Sequence, residues 1–461
     1  MIFLNYDVIV IGGGPGGYVA AIKAAQLGAK VAVVENGNLG GVCLNWGCIP
    51  TKTLLRTAKL FKDMNNSEEF GITGVKKDDL KVDWKKMIER KNDVVGKLVT
   101  GINMLFKKHK IDLYDGWANV KSKTEVEVNG ETITGKNLIV ATGATEYMPK
   151  ISGLEETIKT GKVLNSKATF ELDDVPKDLI VIGGGVIAVE FATLFNAIGS
   201  NVTLIQRSKQ ILSGTEKEMG KTLQRELKKD GIDVITGTSL KSVTEDEVVI
   251  EHKGKEKTYK ADKYIVSLGL SANLGGLEAL NLELDDKGFV ITDDKLRTNV
   301  DGVYAIGDLN GKFALAHVAS AEGIVAAENI MGKDTSINYN IIPSGIYTFP
   351  ELASVGMTEE EAKEKGHDVK VSKFPLSANG KALAEGETAG FAKIISDNKY
   401  GEVLGVHIMA SHATDMIAQA VMVMQLEGTV YDIASAIHAH PTTSEIVMEA
   451  AFAAVDQPIH M

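Results

Sequence analysis

The sequence predicts an α/β fold in which a Rossmann-like unit of strand, glycine turn and helix occurs twice along 461 residues. In the first copy the apolar, β-branched run Tyr6–Ile11 enters Gly12-Gly13-Gly14-Pro15-Gly16-Gly17, and an alanine-rich helix follows through Leu27. In the second, Leu179–Ile182 enters Gly183-Gly184-Gly185-Val186-Ile187-Ala188, then a helix and a strand over Asn201–Ile205. The glycine pattern alone is weak, but strand, turn and helix in that order build a phosphate-binding corner. A third observation is cysteine usage: Cys43 and Cys48 are the only cysteines, and both lie in Gly40-Gly41-Val42-Cys43-Leu44-Asn45-Trp46-Gly47-Cys48-Ile49-Pro50-Thr51-Lys52.

Each residue of the first unit has an expected task. Gly12 permits the sharp turn, Gly14 lets backbone approach a pyrophosphate, and Gly17 lets the helix pack closely on the strand, while the helix start supplies amides and a positive dipole. A second strand over Lys30–Val34 ends in Glu35, a carboxylate able to accept both hydroxyls of a ribose. Gly183 and Gly185 repeat this pattern, so one chain carries two dinucleotide sites. Two close thiols store two electrons as a disulfide in a small loop. Together these parts suggest a relay from a nicotinamide to a flavin to the disulfide. Inert buried thiols are the alternative, and metal binding trails because no second Cys/His cluster completes a tetrahedral site.

Leu138–Ala144 reads as a strand returning to the first nucleotide site, with Thr142 and Gly143 at its end. The strand from Val303 ends in Gly307-Asp308, where the Asp308 carboxylate suits the ribityl hydroxyls of a flavin; a turn-forming Asp is the alternative. Asp93 to Leu105 and Ala413 to Leu426 read as amphipathic or buried helices, assigned only to a core or an interface.

A chain of this length calls for roughly two to four domains. The net charge of −11, from 50 Lys+Arg against 61 Asp+Glu, speaks against a nucleic-acid surface and for solubility. The 47 glycines against 9 prolines suit many tight βα turns. The sequence shows neither a signal peptide nor an apolar run of membrane-spanning length. With two cysteines in one motif, a cytoplasmic setting is expected.

Near the end stands His438-Ala439-His440-Pro441-Thr442-Thr443-Ser444-Glu445. An imidazole is suited to take a proton from an incoming dithiol near neutral pH, and Glu445 is placed to orient it. Pro441 forbids a regular helix, so the histidine is expected on a loop ahead of a helix from Ser444. A structural His pair is the alternative, and His438 keeps that reading.

With these motifs in view, the chain resembles the dihydrolipoamide dehydrogenases of the pyridine nucleotide-disulfide oxidoreductase family, which also holds glutathione and mercuric reductases. The resemblance spans essentially the whole length, from Gly16-Gly17-Tyr18-Val19-Ala20-Ala21-Ile22 through the dithiol run and Gly307-Asp308 to the tail. It implies two Rossmann-like dinucleotide-binding domains plus a C-terminal α+β dimerisation domain. The expected order is an FAD-binding domain over 1–145, an NAD(P)-binding domain over 146–269, a return to the FAD domain over 270–340 and dimerisation over 341–461. By the same resemblance Cys43 is the interchange thiol, Cys48 the flavin-side thiol, and Lys52 pairs with Glu190 beside the flavin. Ala316 joins the FAD-contacting set, and Glu190, Ala188 and Gly269 join the NAD(P) set. His440 then reaches the flavin face of the opposite subunit, making a homodimer obligatory.

Three departures stand out. Gln206 occupies the offset from Gly183 that Glu35 has from Gly12, and Arg207 and Lys209 follow. Removing a carboxylate and adding cations is what a 2′-phosphate requires, so NADP is expected to be used well, alongside NAD. Ala188, in place of the third glycine, resembles NADP-linked glutathione reductases. Leu270 and Ala272 stand where many relatives have Arg and Pro. The chain opens directly on its first strand, so a lipoyl group is expected on a separate carrier protein of a 2-oxoacid dehydrogenase or glycine cleavage complex. The leading expectation is oxidation of protein-bound dihydrolipoamide with NAD(P)+ as acceptor. The alternatives are an NADPH-dependent glutathione-type disulfide reductase, or a non-catalytic docking subunit. Mercuric reduction would call for a further cysteine pair near the C-terminus, which residues 449–461 do not contain.

Overall fold

A computed structural model describes residues 5–461. The first unit is a parallel sheet in which Tyr6–Ile11 lies between Val31–Glu35 and Glu131–Val140; Asp112–Asp115 extends one edge and Val303–Ala305 pairs on the other side. Val8, Ile9 and Val10 are wholly buried, as expected for a parallel strand covered on both faces, where side chains run apolar without alternation. The helices Pro15–Gln26 and Ala316–Ile330 pack through glycines. A Cβ on Gly323 would lie 2.5 Å from the Gly16 carbonyl oxygen, so the backbones meet only because side chains are missing.

The second unit has its own five-stranded parallel sheet, ordered Asp233–Thr236, Asn201–Gln206, Asp178–Ile182, Lys263–Val266, Val163–Leu164. It is complete before the chain supplies Val303–Ala305 to the first sheet, so it is an insertion. The chain leaves along Ala144–Glu146 and returns along Leu270–Ala272, and these two segments pair antiparallel. Leu270 and Ala272, flagged as departures, therefore sit in the double connection between the units. A five-stranded antiparallel sheet, ordered Ser344–Ile346, Glu351–Gly356, Val403–Ala410, Phe391–Asp397, Val369–Pro375, forms the C-terminal part with the helices Ala413–Gln425, Val430–Ser435 and Glu445–Val455. Among the described residues no helix is long and apolar enough to cross a membrane.

Two excursions escape the sequence reading. Ala118–Ser122, Glu125–Val128 and Glu131–Val140 form an antiparallel meander inside the first unit, and Thr238–Val243, Val248–His252 and Lys255–Tyr259 form another inside the second. The helix foreseen over Asp93 to Leu105 is the middle of a longer one, Trp84–His109, whose first turn is capped by Asp83.

The inserted unit is fastened to the C-terminal sheet by buried charge. Lys393 donates to Glu216 and to Glu359 at 2.9 Å each, and both Lys393 and Glu216 are 5% exposed. Removing the cation would leave two carboxylates facing each other, which costs roughly 3–5 kcal/mol for a broken buried pair. The Lys363 and Lys393 ammonium groups hold the Glu359 carboxyl down at about 2, below its ordinary 4.5. A depressed carboxyl contributes stability above its unfolded value and loses it as pH falls toward the folded one. In Lys393→Met the melting temperature is expected to fall most at neutral pH. Its gap from the parent protein should narrow as the pH drops from about 4.5 toward 2, followed by thermal unfolding monitored by circular dichroism.

Candidate active site

The glycine turns are built as their sequences suggest. Gly12 has φ +101°, and a Cβ on Gly17 would lie 1.9 Å from the Gly12 carbonyl oxygen. A Cβ on Gly41 would lie 2.7 Å from the Gly14 Cα, so the redox segment begins in backbone contact with the first turn. Glu35 closes the strand and its Oε2 accepts the Gly13 amide at 2.7 Å. Thr142 donates its hydroxyl to the Asn273 carbonyl at 2.7 Å, and Gly143, at φ +70°, leaves open space where a side chain would stand. Gly183 repeats Gly12 with φ +127°, and the space over Gly185 is open. Ala188 and Glu190 are buried in the helix Val186–Ala197. Gly269, at φ +124°, accepts the Tyr147 amide at 2.9 Å.

The two cysteines are free thiols separated by a helix break. Cys43 lies in the short helix Gly41–Trp46, and Cys48 is the first residue of the helix Cys48–Asn65. Gly47 makes the break, since a Cβ there would lie 2.9 Å from the Val42 carbonyl oxygen. Asn45 stiffens the segment by donating to the carbonyls of Gly41 and Leu39 at 2.9 and 3.2 Å. A cysteine at a helix start meets the positive end of the dipole. One turn on, Lys52 reaches Glu190 at 2.7 and 2.9 Å and lies 4.5 Å from the centroid of the Tyr347 ring. The resulting field is asymmetric. The hydrogen bond from Cys43, with help from Lys52 and against burial, brings the Cys48 thiol down to about 7. The same bond, then burial, pushes Cys43 well above the ordinary thiol range. One thiolate, on Cys48, is therefore held ready while its neighbour keeps the proton.

Asp308 follows the strand Val303–Ala305 within the turn Gly307–Asn310. Its half-buried carboxyl has no hydrogen bond from another described residue, and burial, then the charge of Glu322, raises it to about 6. A carboxyl with no partner and the side-chain-free turns beside it fit the hydroxyls and pyrophosphate of FAD, at the carboxyl ends of adjacent parallel strands. Ala316 opens the helix Ala316–Ile330 just beyond.

Among the described residues no hydrogen bond or ion pair joins His440 to either thiol. Its Nδ1 meets Glu445 Oε1 at 2.9 Å, its side chain is 78% exposed, and the bond to Pro441 is cis. Glu445 opens the helix Glu445–Val455 behind Ser444, as foreseen, and its other oxygen accepts the Thr442 amide at 2.8 Å. Burial works against its ionisation, but the Thr442 amide and His440 outweigh it and hold the carboxyl below its usual range. His438 bonds Gln419 and the Ala436 carbonyl instead.

At the second site, Gln206 folds over Gly184, and its Oε1 accepts the Arg207 amide at 3.0 Å. Arg207 and Lys209 are exposed and have no carboxylate partner among the described residues.

Sequence matches now decide the family. Residues 6–323 match the pyridine nucleotide-disulphide oxidoreductase family, and residues 342–451 match its dimerisation domain. The chain belongs to that family. It is 43% identical over 470 residues to a dihydrolipoyl dehydrogenase of Bacillus subtilis, with 99% of this chain and 98% of that one covered. It is 41% identical over 463 residues to one from Chlamydia muridarum, at 99% and 98% coverage. Among solved structures, an HOCl-induced flavoprotein disulfide reductase from Escherichia coli superposes with a TM-score of 0.85 at 27% identity, covering 97% of this chain and 99% of that one. Membership implies FAD and a pyridine nucleotide of the NAD type as cofactors, and the dimerisation match suggests a homodimer.

Sequence reasoning missed Glu322, Asn310 and Tyr339, which surround the Asp308 turn, and Tyr347, whose amide reaches Glu190 at 3.0 Å. None lies in a motif; each acts through distant contacts. In the reduced protein, alkylation by iodoacetamide should show a thiol midpoint near pH 7, and Cys48→Ser should abolish it. A parent midpoint at the ordinary value of about 8.5 would contradict the assigned asymmetry.

Proposed function

We propose that this protein is an FAD-dependent dihydrolipoamide dehydrogenase. It oxidises dihydrolipoamide through Cys43 and Cys48 and delivers the electrons by way of FAD to a pyridine nucleotide. The observation that carries the reading is the polarised thiol pair, with Cys48 at a helix start one turn from the Lys52–Glu190 pair, between two dinucleotide-binding folds. In the reductive half, a substrate thiolate attacks Cys43 Sγ of the disulfide and Cys48 leaves as a thiolate. The second substrate sulfur then attacks the mixed disulfide, forming oxidised lipoamide and releasing Cys43. His440, oriented by Glu445, accepts a thiol proton at Nε2. FAD, when bound, supplies two-electron transfer between thiols and nicotinamide; Gly12, Gly14, Gly17, Glu35, Lys52, Thr142, Gly143, Asp308 and Ala316 would hold it.

Among the described residues His440 has no hydrogen bond to a thiol, which favours a homodimer in which it serves the opposite subunit's thiols. The substrate is then a lipoyl group on a separate carrier protein. The similarity to curated dihydrolipoyl dehydrogenases over the full length supports that choice over glutathione. Gly183, Gly185, Ala188, Glu190, Gln206, Arg207 and Gly269 would hold the nicotinamide nucleotide. With Gln206 in place of a carboxylate at the strand end and no carboxylate partner for Arg207 among the described residues, NADP is expected to be accepted well beside NAD.

Steady-state assays with dihydrolipoamide test both levels. Turnover with NAD+ or NADP+ is expected, and His440→Gln should lower kcat/KM by about 10²–10⁴. Absence of turnover with either nucleotide would overturn the assignment. kcat/KM for NADP+ should equal or exceed that for NAD+, and Arg207→Glu should remove the NADP+ activity selectively. A strong parent preference for NAD+ would remove the NADP reading alone.

A further inference from the structure

Behind Asp308 lies a second carboxylate to which none of the assigned roles gives a task. Glu322, on the helix Ala316–Ile330, is 1% exposed. Its Oε2 accepts the Gly307 amide at 2.5 Å, and its Oε1 accepts both the Asn310 side-chain amide at 2.9 Å and the Tyr339 hydroxyl at 2.6 Å. Gly307 and Asn310 are the two ends of the turn that presents Asp308. One buried side chain thus spans that turn and fixes it to the helix packed on Pro15–Gln26.

The third donor comes from elsewhere. Tyr339 begins the short helix Tyr339–Ile341, immediately ahead of the segment at 342 where the dimerisation domain starts. Its ring stacks on Phe313, with centroids 5.8 Å apart, and Lys312 lies 4.8 Å from the ring centre. On the same helix, His317 Nε2 meets the Pro343 carbonyl at 2.8 Å. The entrance to the dimerisation domain is therefore bonded to the helix that carries Glu322 at two points.

We propose that Glu322 is a positioning residue for the flavin: it fixes the Asp308 turn and, through Tyr339, ties flavin retention to the segment that enters the dimerisation domain. A carboxylate is the side chain the place requires, because three donors converge on it and an ionised carboxyl only accepts. Glutamine would turn an NH₂ toward one of those donors, loosening the turn rather than merely removing a charge. The inference rests on FAD being the group held at Asp308.

The test follows FAD release by its fluorescence after dilution of purified holoenzyme, in the parent protein, Glu322→Gln and Tyr339→Phe. Glu322→Gln is expected to release FAD at least about tenfold faster, and Tyr339→Phe, which keeps the stacked ring, by a smaller factor. The melting temperature of FAD-free protein should change far less than that of holoenzyme in both. The flavin midpoint potential in Glu322→Gln should move to more positive values, because a buried negative charge has gone. If Glu322→Gln fails to fold, Tyr339→Phe carries the test. Release within about twofold of the parent in the folded variants, or equal losses of melting temperature with and without FAD, would overturn the proposal. A parent protein that binds no FAD would instead overturn the flavin reading, and this inference with it.

Discussion

One buried carboxylate joins the three parts of this molecule. Glu190, 3% exposed on the helix Val186–Ala197 of the inserted unit, receives Lys52 from the redox helix and the Tyr347 amide from the entry to the C-terminal sheet. A carboxylate buried this deeply is tolerated only with its charge matched and its oxygens bonded. The redox helix, the nucleotide unit and the C-terminal sheet must therefore meet around it in one arrangement. Lys52 is placed by that need, and the field it casts on Cys48 follows. Glu190 thus places the Lys52 ammonium that assists the Cys43 hydrogen bond in lowering the Cys48 thiol, while its own charge works the other way.

The charged groups around the redox centre divide into two kinds. The hydrogen bond from Cys43, assisted by Lys52, favours negative charge on Cys48, while the same bond and burial push Cys43 the other way. At the turn after Val303–Ala305, the charge of Glu322 opposes ionisation of Asp308, and burial raises both. His440 with Glu445 forms a third element, carried by the domain that matches the dimerisation family and exposed on the single chain. Among the described residues no hydrogen bond joins His440 to the half-buried thiol pair, and the dimerisation match suggests that two chains assemble.

The parts of this design that were legible in the sequence are those where one residue type alone satisfies the backbone or the chemistry. Gly12, Gly17 and Gly183 stand where a Cβ would overlap backbone, and the pattern exposes them. Cys43 and Cys48 were visible by their isolation, and the Lys52–Glu190 contact through family resemblance. The antiparallel meanders over 118–140 and 238–259 were not legible, because short strands of mixed polarity carry little periodicity. Glu322 and Tyr339 were hidden for a different reason: their partners are distant in sequence, and an acid in an alanine-rich helix reads as a solvent-facing residue. Gln206 shows a finer limit. Its position was readable, but that its carbonyl is engaged by the next amide depends on how the side chain folds over Gly184.

Electrons from a dithiol are expected to enter through the Cys43–Cys48 pair and to pass to FAD from there. An anaerobic titration of flavin absorbance in the parent protein and Cys48→Ser, with dihydrolipoamide and separately with NADH, examines this route most directly. NADH is expected to bleach the flavin in both proteins, whereas dihydrolipoamide should bleach it only where both thiols are present. Equal bleaching of Cys48→Ser by dihydrolipoamide would contradict this route, since the electrons would then reach FAD without the pair.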